Sequence, residues 1–143
     1  MGKTVDYYFS PISPWTYLGH ARFADMAKRY GAVVNVKPAD FGKVFPVSGG
    51  LPLAKRAPQR QAYRMVELKR FRDHLKLPLN LQPKFFPAPA DLAAQSEAVK
   101  AEYEGYAQEA VARHVFGAPS YVIDGEIFWG QDRLEFVERA LAG

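Results

Sequence analysis

The sequence contains no cysteine, and this absence excludes a large part of the chemistry open to a protein of its size. Disulfide bonds, thiolate metal sites and thiol–disulfide exchange all require a cysteine sulfur. Histidine is nearly as scarce, because the 143 residues include only three, and no two of them stand at a metal-ligand spacing. We therefore expect neither a redox thiol nor a metal site in this chain.

Long apolar runs are also missing. No stretch approaches the roughly 20 consecutive apolar residues that a membrane helix requires. The first ten residues, MGKTVDYYFS, contain neither the apolar segment nor the small-residue cleavage site of a secretion signal. We expect a cytoplasmic protein with no membrane partner. Its length and its 48% hydrophobic content suit one domain with one core, over residues 1–143.

Positive charge, by contrast, is in excess, and much of the net charge of +4 arises between residues 55 and 76. Glu67 and Asp73 are the acidic residues of this stretch. The basic residues there are Lys55, Arg56, Arg60, Arg64, Lys69, Arg70, Arg72 and Lys76. A solvated helix face and a surface that binds small anions are both open interpretations. Nucleic acid is not expected as a partner, because the charges lack the interleaved aromatics of a single-strand-binding platform.

The first third of the chain has the pattern of a β-α-β unit. Residues 4–9, TVDYYF, are β-branched and aromatic, which predicts a buried strand. Ser13 followed by Pro14 is a helix-start signal, and the predicted helix runs to Tyr30. A short strand over residues 33–36 completes the unit, whose crossover should be right-handed.

The remaining sequence predicts a helical middle and a β-β-α end. We expect a loop over residues 45–58, a helix over 58–76, an irregular proline-rich segment over 77–90 and a second helix over 95–114. Two strands, over residues 120–123 and 126–129, flank a strong hairpin signal, and a last helix begins at Asp132. This order predicts an α/β fold of the thioredoxin-like type, with a helical insertion at about residues 58–114.

Three residues of this scaffold can carry chemistry. Ser13 precedes the first helix, where free N–H groups and the helix dipole favour an anion, although its local sequence favours a simple helix cap. Pro119 stands before a strand, and base rates predict a trans bond there. If the chain has the thioredoxin topology, this loop lies beside the first helix, and a cis bond is expected instead. Asp132 is explained either as a helix cap or as a carboxylate that receives an ammonium group.

Two segments resemble a known family. Residues 5–18, VDYYFSPISPWTYL, resemble the opening of the 2-hydroxychromene-2-carboxylate isomerases and kappa-class glutathione transferases, which have a DsbA-like thioredoxin fold. Residues 115–141, VFGAPSYVIDGEIFWGQDRLEFVERAL, resemble the C-terminal end of the same family. The resemblance implies that glutathione is the cofactor and that the protein is a homodimer.

The resemblance also implies a role for each site residue. Ser13 matches the serine that hydrogen-bonds the glutathione sulfur, and Pro119 matches the cis-proline, so that Ala118 pairs its backbone with the cysteinyl part. Gln131 and Asp132 match positions that hold the γ-glutamyl end. The remaining matches are a basic residue for glutathione and two residues that line the pocket of the aromatic substrate: Arg60, Lys84 and Phe85.

The activity implied by the resemblance is glutathione-dependent cis/trans isomerisation of an aromatic-degradation intermediate. In this family the glutathione thiolate adds to a conjugated carbon, a bond rotates, and elimination releases the isomer. Two alternatives remain open at the same site: glutathione transfer to an electrophile, and a non-catalytic glutathione- or peptide-binding module. Family members carry several more helices before the last long helix, so the insertion here is shortened, and this departure motivates the second alternative.

Overall fold

The computed structural model describes residues 2–86 and 96–143, and its elements follow the predicted order. Four strands, five α-helices and two 3₁₀ turns lie in these ranges. In chain order the strands and α-helices are β1 (Thr4–Phe9), α1 (Pro14–Arg29), β2 (Val33–Pro38), α2 (Phe41–Ser48), α3 (Pro58–Leu75), α4 (Glu97–Ala112), β3 (Ser120–Ile123), β4 (Glu126–Trp129) and α5 (Leu134–Ala142). The 3₁₀ turns are Leu53–Lys55 and Gln131–Arg133.

The strands form one mixed sheet in the order β2-β1-β3-β4. β1 and β2 run parallel and are joined by α1, whereas β3 runs antiparallel to β1 and to β4. The β3–β4 hairpin turns at Asp124 and Gly125, whose φ angles of 51° and 85° fit a type I′ turn. This arrangement confirms the predicted thioredoxin-like fold, in which α2, α3 and α4 separate a β-α-β half from a β-β-α half.

The sheet buries side chains on both faces, because successive residues of a strand point to opposite sides. Val5 and Tyr7 of β1 pack with residues of α1 and α5, whereas Tyr8 packs with residues of α2 and α4. Aromatic rings stack in the first layer, where the centroids of Tyr7 and Tyr121 lie 5.2 Å apart. Both halves of the chain therefore contribute to each layer of the core.

Helix α2 was not expected, because its glycine- and proline-containing sequence predicted a loop over residues 45–58. Asp40 begins the helix by accepting a hydrogen bond at 2.9 Å from a backbone amide of its first turn. Pro46 lies inside the helix, where its ring leaves one carbonyl without an amide partner. The helix forms nevertheless because Phe41 and Val44 are buried against α4 and the sheet, and this burial offsets the unfavourable proline.

The other predicted helices and strands agree with the structure to within two residues at most of their ends. Ser96 caps α4 by accepting a hydrogen bond from the Val99 amide at 3.2 Å. The predicted helix start at Gln95 and the last part of the predicted irregular segment, residues 87–90, lie outside the described residues. No helix in the described ranges is long and apolar enough to cross a membrane.

A network of charged side chains joins α4 to β1 and β2. Lys37 lies 3.2 Å from Asp6, and both side chains are largely buried. Glu109 pairs with Lys37, and Arg113 pairs with Asp6. Burial alone would raise the pKa of Asp6, but hydrogen bonds from Arg113, Asn35 and Lys37 outweigh it and hold the pKa at about 2. The network therefore stabilises the fold through an ionised carboxylate.

The free energy of unfolding should fall steeply in acid. Because the folded-state pKa of Asp6, about 2, lies below its ordinary value of 3.8, its contribution is complete above about pH 4 and is lost as the pH falls toward 2. The pKa difference corresponds to about 2 kcal/mol. Urea unfolding between pH 5 and pH 2 measures this loss, which Asp6→Asn should reduce.

The matched control is Asp25→Asn, which changes an exposed carboxylate of α1 and should retain the acid sensitivity of the wild type. The same pH dependence in wild type and Asp6→Asn would contradict the proposed role of the network.

Candidate functional site

Three segments meet at one end of the sheet: the start of α1, the loop before β3 and the 3₁₀ turn after β4. β1 and β3 pair antiparallel with Tyr8 opposite Ser120, so the end of β1 lies beside the start of β3. β4 returns along β3, and the Gly130 amide donates to the Pro119 carbonyl at 2.9 Å. The fold thereby brings together the segments that carry most of the predicted site residues.

Ser13 is the N-cap of α1, as its sequence predicts. Its backbone is extended, with φ −81° and ψ 123°, and its Oγ accepts a hydrogen bond from the Thr16 amide at 3.4 Å. This distance is long for a hydrogen bond, so the cap is weak. A hydroxyl can accept and donate at the same time, and the capping role uses only an acceptor position. The half-buried hydroxyl can therefore cap the helix and donate to an anion.

The start of α1 is electrostatically suited to a negative charge. Its first turn contains no acidic residue, and Pro14 occupies the first helical position. Unpaired N–H groups and the helix dipole produce a partial positive charge at such a terminus, which typically favours an anion by about 0.3–1 kcal/mol. No carboxylate of the first turn repels an incoming anion.

The peptide bond between Ala118 and Pro119 is cis, as predicted from the thioredoxin topology. Pro119 is buried, whereas Ala118 is half-buried. The Ser120 hydroxyl donates to the Gly117 carbonyl at 2.6 Å and connects the two sides of the loop. The loop therefore has a defined shape beside the end of β1.

Gln131 points into the protein, with 2% of its surface exposed. Arg22 of α1 donates to its side-chain oxygen and, at 3.2 Å, to its backbone carbonyl. A Cβ atom on Gly19 would lie 2.7 Å from the Gln131 Cβ, so glycine is what allows α1 to approach the turn this closely. The structure thus shows Gln131 bracing the turn against α1, and its contact with a γ-glutamyl group stays a prediction.

Asp132 lies in the same turn but keeps 40% of its side chain exposed, with its nearest cation, Arg133, at 3.9 Å. The interpretation of Asp132 as a helix cap is wrong, since no side chain caps the 3₁₀ turn or α5. The reason is that the last α-helix begins only at Leu134, after the turn that contains Asp132. Its carboxylate is therefore available to a cation at this end of the sheet.

Three other predicted residues have no direct link to this end. Arg60 is exposed near the start of α3, and Lys84 lies over the ring of Phe85 at 5.4 Å, with Phe85 76% exposed. Among the described residues, no hydrogen bond, ion pair or ring contact joins these three side chains to Ser13 or Asp132. Their roles in binding glutathione or the substrate stay predictions.

Arg22 is a residue of the site region that sequence reasoning did not identify. Leu18, Arg22 and Met26 follow one another at four-residue intervals, so an arginine stands in the apolar stripe of α1. This placement could have identified Arg22 from the sequence, because a charged group on a buried stripe needs a polar partner. Gln131 is that partner. The sequence does not show this pairing, because it depends on how the turn packs on α1.

A family model described as a DSBA-like thioredoxin domain matches residues 4–95 and 87–142. The chain belongs to this family. The two matched segments of the DSBA-like thioredoxin domain overlap at residues 87–95, between α3 and α4, where the sequence predicts a shortened insertion.

Curated relatives share one name. A 2-hydroxychromene-2-carboxylate isomerase from Sphingobium xenophagum is 26% identical over 193 residues, covering 99% of each chain. That alignment is longer than the 143 residues of this chain, so gaps fall within the chain. The enzyme of the same name from Pseudomonas putida is 23% identical, covering 96% of this chain and 93% of the relative.

A solved structure of a 2-hydroxychromene-2-carboxylate isomerase superposes on this DSBA-like chain with a TM-score of 0.76. The identity is 22%, and the match covers 97% of this chain and 94% of the other. The likeness shows a common fold.

Gly19→Ala should destabilise the protein, because the added Cβ would collide with Gln131. Overpacking of this kind typically costs about 1–3 kcal/mol. The matched control is Gly105→Ala in α4, where no atom lies within 4 Å of the new Cβ. Alanine stabilises a helix interior by about 0.5–1 kcal/mol relative to glycine. Thermal unfolding should therefore show a lower Tm for Gly19→Ala and a higher Tm for Gly105→Ala; a wild-type Tm for Gly19→Ala would contradict the close packing.

Proposed function

We propose that the protein is a glutathione-dependent cis/trans isomerase of an aromatic-degradation intermediate, of the 2-hydroxychromene-2-carboxylate type. The names of the relatives support an isomerase of aromatic catabolism. The observation that carries the proposal in this chain is Ser13, a hydroxyl at the start of α1 in a sequence with no cysteine. A protein of this fold that uses thiolate chemistry without cysteine must take the sulfur from a ligand. The resemblance extends the proposal to a cytoplasmic homodimer.

The residues at the end of the sheet fit the parts of glutathione. The Ser13 hydroxyl and the first turn of α1, which lacks acidic residues, suit an anionic sulfur. The half-buried Ala118, before the cis bond at the start of β3, suits an extended peptide that pairs with the backbone. The exposed carboxylate of Asp132 suits the γ-glutamyl ammonium group. The sulfur, the cysteinyl backbone and the γ-glutamyl ammonium group of glutathione therefore each have a complementary group in the chain.

Glutathione, when bound, supplies a nucleophilic sulfur that the reaction returns unchanged. The task of the chain is to keep that sulfur ionised, because an unperturbed cysteine thiol has a pKa of about 8.5. A hydrogen bond from Ser13 and the partial positive charge of α1 both favour the thiolate, and hydrogen bonds to ionised groups are roughly twice as strong as neutral ones. Arg22 and Gln131 brace α1 against the turn that carries Asp132, and so hold the ends of the site in place.

Ser13→Ala should lower turnover of 2-hydroxychromene-2-carboxylate by about tenfold or more, since a hydrogen bond to a charged group contributes about 1.5–3 kcal/mol. Isomerisation followed by absorbance in the presence of glutathione measures the effect. The matched control is Ser96→Ala, which removes the capping hydroxyl of α4. Each variant should lose about 1 kcal/mol of stability at most, but only Ser13→Ala should lose turnover. Unchanged turnover in Ser13→Ala would refute the proposed role.

Asp132→Asn should weaken glutathione binding roughly tenfold in a calorimetric titration, because it removes a charge-assisted contact with the ammonium group. Asp124→Asn is the control, since Asp124 is an exposed carboxylate of the β3–β4 turn, 3.2 Å from Lys3. With deaminated glutathione, wild type and Asp132→Asn should bind alike. Equal affinity of both proteins for glutathione itself would contradict the assignment.

The products distinguish the proposed isomerase from other uses of the same site. Release of the isomer with glutathione unchanged supports the proposal. A stable conjugate with 1-chloro-2,4-dinitrobenzene and no isomerisation would identify a transferase instead. Glutathione binding without turnover of either substrate would identify a binding module.

A further inference from the structure

Arg64 is a half-buried cation of α3. Within residues 2–86 and 96–143 its guanidinium forms no ion pair, although Glu67 lies less than one helical turn away. Burial lowers the pKa of Arg64, and the nearby charge of Arg56 lowers it further. An arginine stays protonated in proteins, so within the described residues this positive charge is not compensated by an ion pair.

Arg56, whose charge acts on Arg64, is held in position by two hydrogen bonds. Its Nε donates to the Leu51 carbonyl at 2.8 Å, and its own carbonyl accepts from the Gln61 side chain at 2.8 Å. Because the hydrogen bond to Leu51 uses only Nε, the two terminal nitrogens of the guanidinium keep their donors. Within the described residues the two guanidinium groups share no carboxylate, and their mutual repulsion favours a ligand with negative charge.

An aromatic ring completes the cluster. The Cζ of Arg64 lies 5.5 Å from the centroid of the Phe86 ring, in a cation–π contact, and Phe86 is 40% exposed. A small inorganic anion would use the arginines alone. A planar aromatic acid would use both features, because its carboxylate can reach the guanidinium groups while its ring packs against Phe86.

The cluster belongs to the side of α3 that faces the start of α1. Phe71, seven residues after Arg64, lies on the same side of the helix, about 10 Å further along its axis. The Phe71 ring contacts Trp15 edge-on, with centroids 6.2 Å apart. Trp15 lies in the first turn of α1, two residues after Ser13. The contact between Trp15 and Phe71 thus joins the helix that carries Arg64 to the helix that begins after Ser13.

We propose that Arg64 and Arg56 bind the carboxylate of a planar aromatic acid whose ring packs against Phe86. This inference rests on the proposed function and assigns the acidic end of its substrate to α3. It also distinguishes the substrate from glutathione as the ligand of the arginines, because glutathione has carboxylates but no aromatic ring to pack against Phe86.

Chromone-2-carboxylate, a planar bicyclic acid, is a suitable probe because it needs no turnover. In calorimetric titrations, Arg64→Gln should weaken its binding by about tenfold or more, and Arg64→Lys should weaken it less because the charge remains. Arg70→Gln is the matched control, since it removes an exposed arginine of the same helix. The Tm of Arg64→Gln should stay close to that of the wild type, because the substitution removes the cation–π contact with Phe86 but breaks no ion pair within the described residues.

Each arm of the experiment supports or overturns the inference. Chromone-2-carboxamide, which lacks the charge, should bind weakly and equally to all variants, and glutathione should bind Arg64→Gln as tightly as wild type. The inference is overturned if the acid does not bind the wild type, if Arg70→Gln and Arg64→Gln weaken it equally, or if only glutathione binding is lost. Should Arg64→Gln fail to fold, the measurement is made on Arg64→Lys, and unchanged affinity of that folded variant for the acid overturns the inference.

The proposed function is tested separately. Ser13→Ala should bind chromone-2-carboxylate like the wild type, because Ser13 does not touch the arginine pair in this proposal. Binding of the probe that depends on Arg64, in a protein without isomerase activity, would refute the isomerase and support the site. Isomerase activity whose KM is unchanged in Arg64→Gln would overturn the site and leave the isomerase intact.

Discussion

The antiparallel pairing of β1 with β3 is the constraint on which the rest of the structure depends. With Tyr8 opposite Ser120, the end of β1 and the start of β3 become neighbours, although they come from opposite ends of the chain. A shift of one residue would turn the stacked rings of Tyr7 and Tyr121 away from their layer of the core. The same register places the start of α1 beside the cis Ala118–Pro119 bond, so the core and the candidate site depend on one alignment.

Polar contacts position the outer elements on both faces of the sheet. On one face, Arg22 joins α1 to the 3₁₀ turn at Gln131. On the other face, Lys37 and Asp6 of the sheet form ion pairs with Glu109 of α4 and with Arg113 at the end of α4. A buried polar group that loses its partner is strongly destabilising, so such contacts penalise alternative arrangements of the helices. The site is therefore built on elements whose placement is specific, in addition to being well packed.

Most of the fold could be predicted from local patterns because its signals are local. Ser13-Pro14 marks a helix start and Asp124-Gly125 marks a hairpin, and the structure has both. Helix α2 could not be predicted, because Pro46 argues against a helix and only burial against α4 overrides it. The cap at Asp132, one of two interpretations that the sequence left open, is wrong, because the sequence does not show that a 3₁₀ turn precedes the last helix.

The candidate site was predictable in part for a similar reason. The cis Ala118–Pro119 bond followed from the topology, and the position of Ser13 followed from its motif. The contacts of Arg22 with Gln131 and of Arg64 with Phe86 join distant parts of the chain, and no local pattern specifies such a pair. For Arg22 and Arg64, which contact distant parts of the chain, the only indication in the sequence is a charged residue at a position of the helix that would otherwise be apolar.

The two proposed halves of the site come from separate stretches of the chain. Ser13, Ala118 and Asp132, which the proposed function assigns to glutathione, lie between β1 and α1 and next to β3 and β4. Arg56, Arg64 and Phe86 lie between those stretches, as does Arg60, whose predicted role in binding glutathione is untested. The two family-model matches overlap at residues 87–95, within this same middle part of the sequence. With such a layout, substitutions, insertions or deletions in the middle segment would alter the proposed acceptor specificity without changing the residues proposed to bind glutathione.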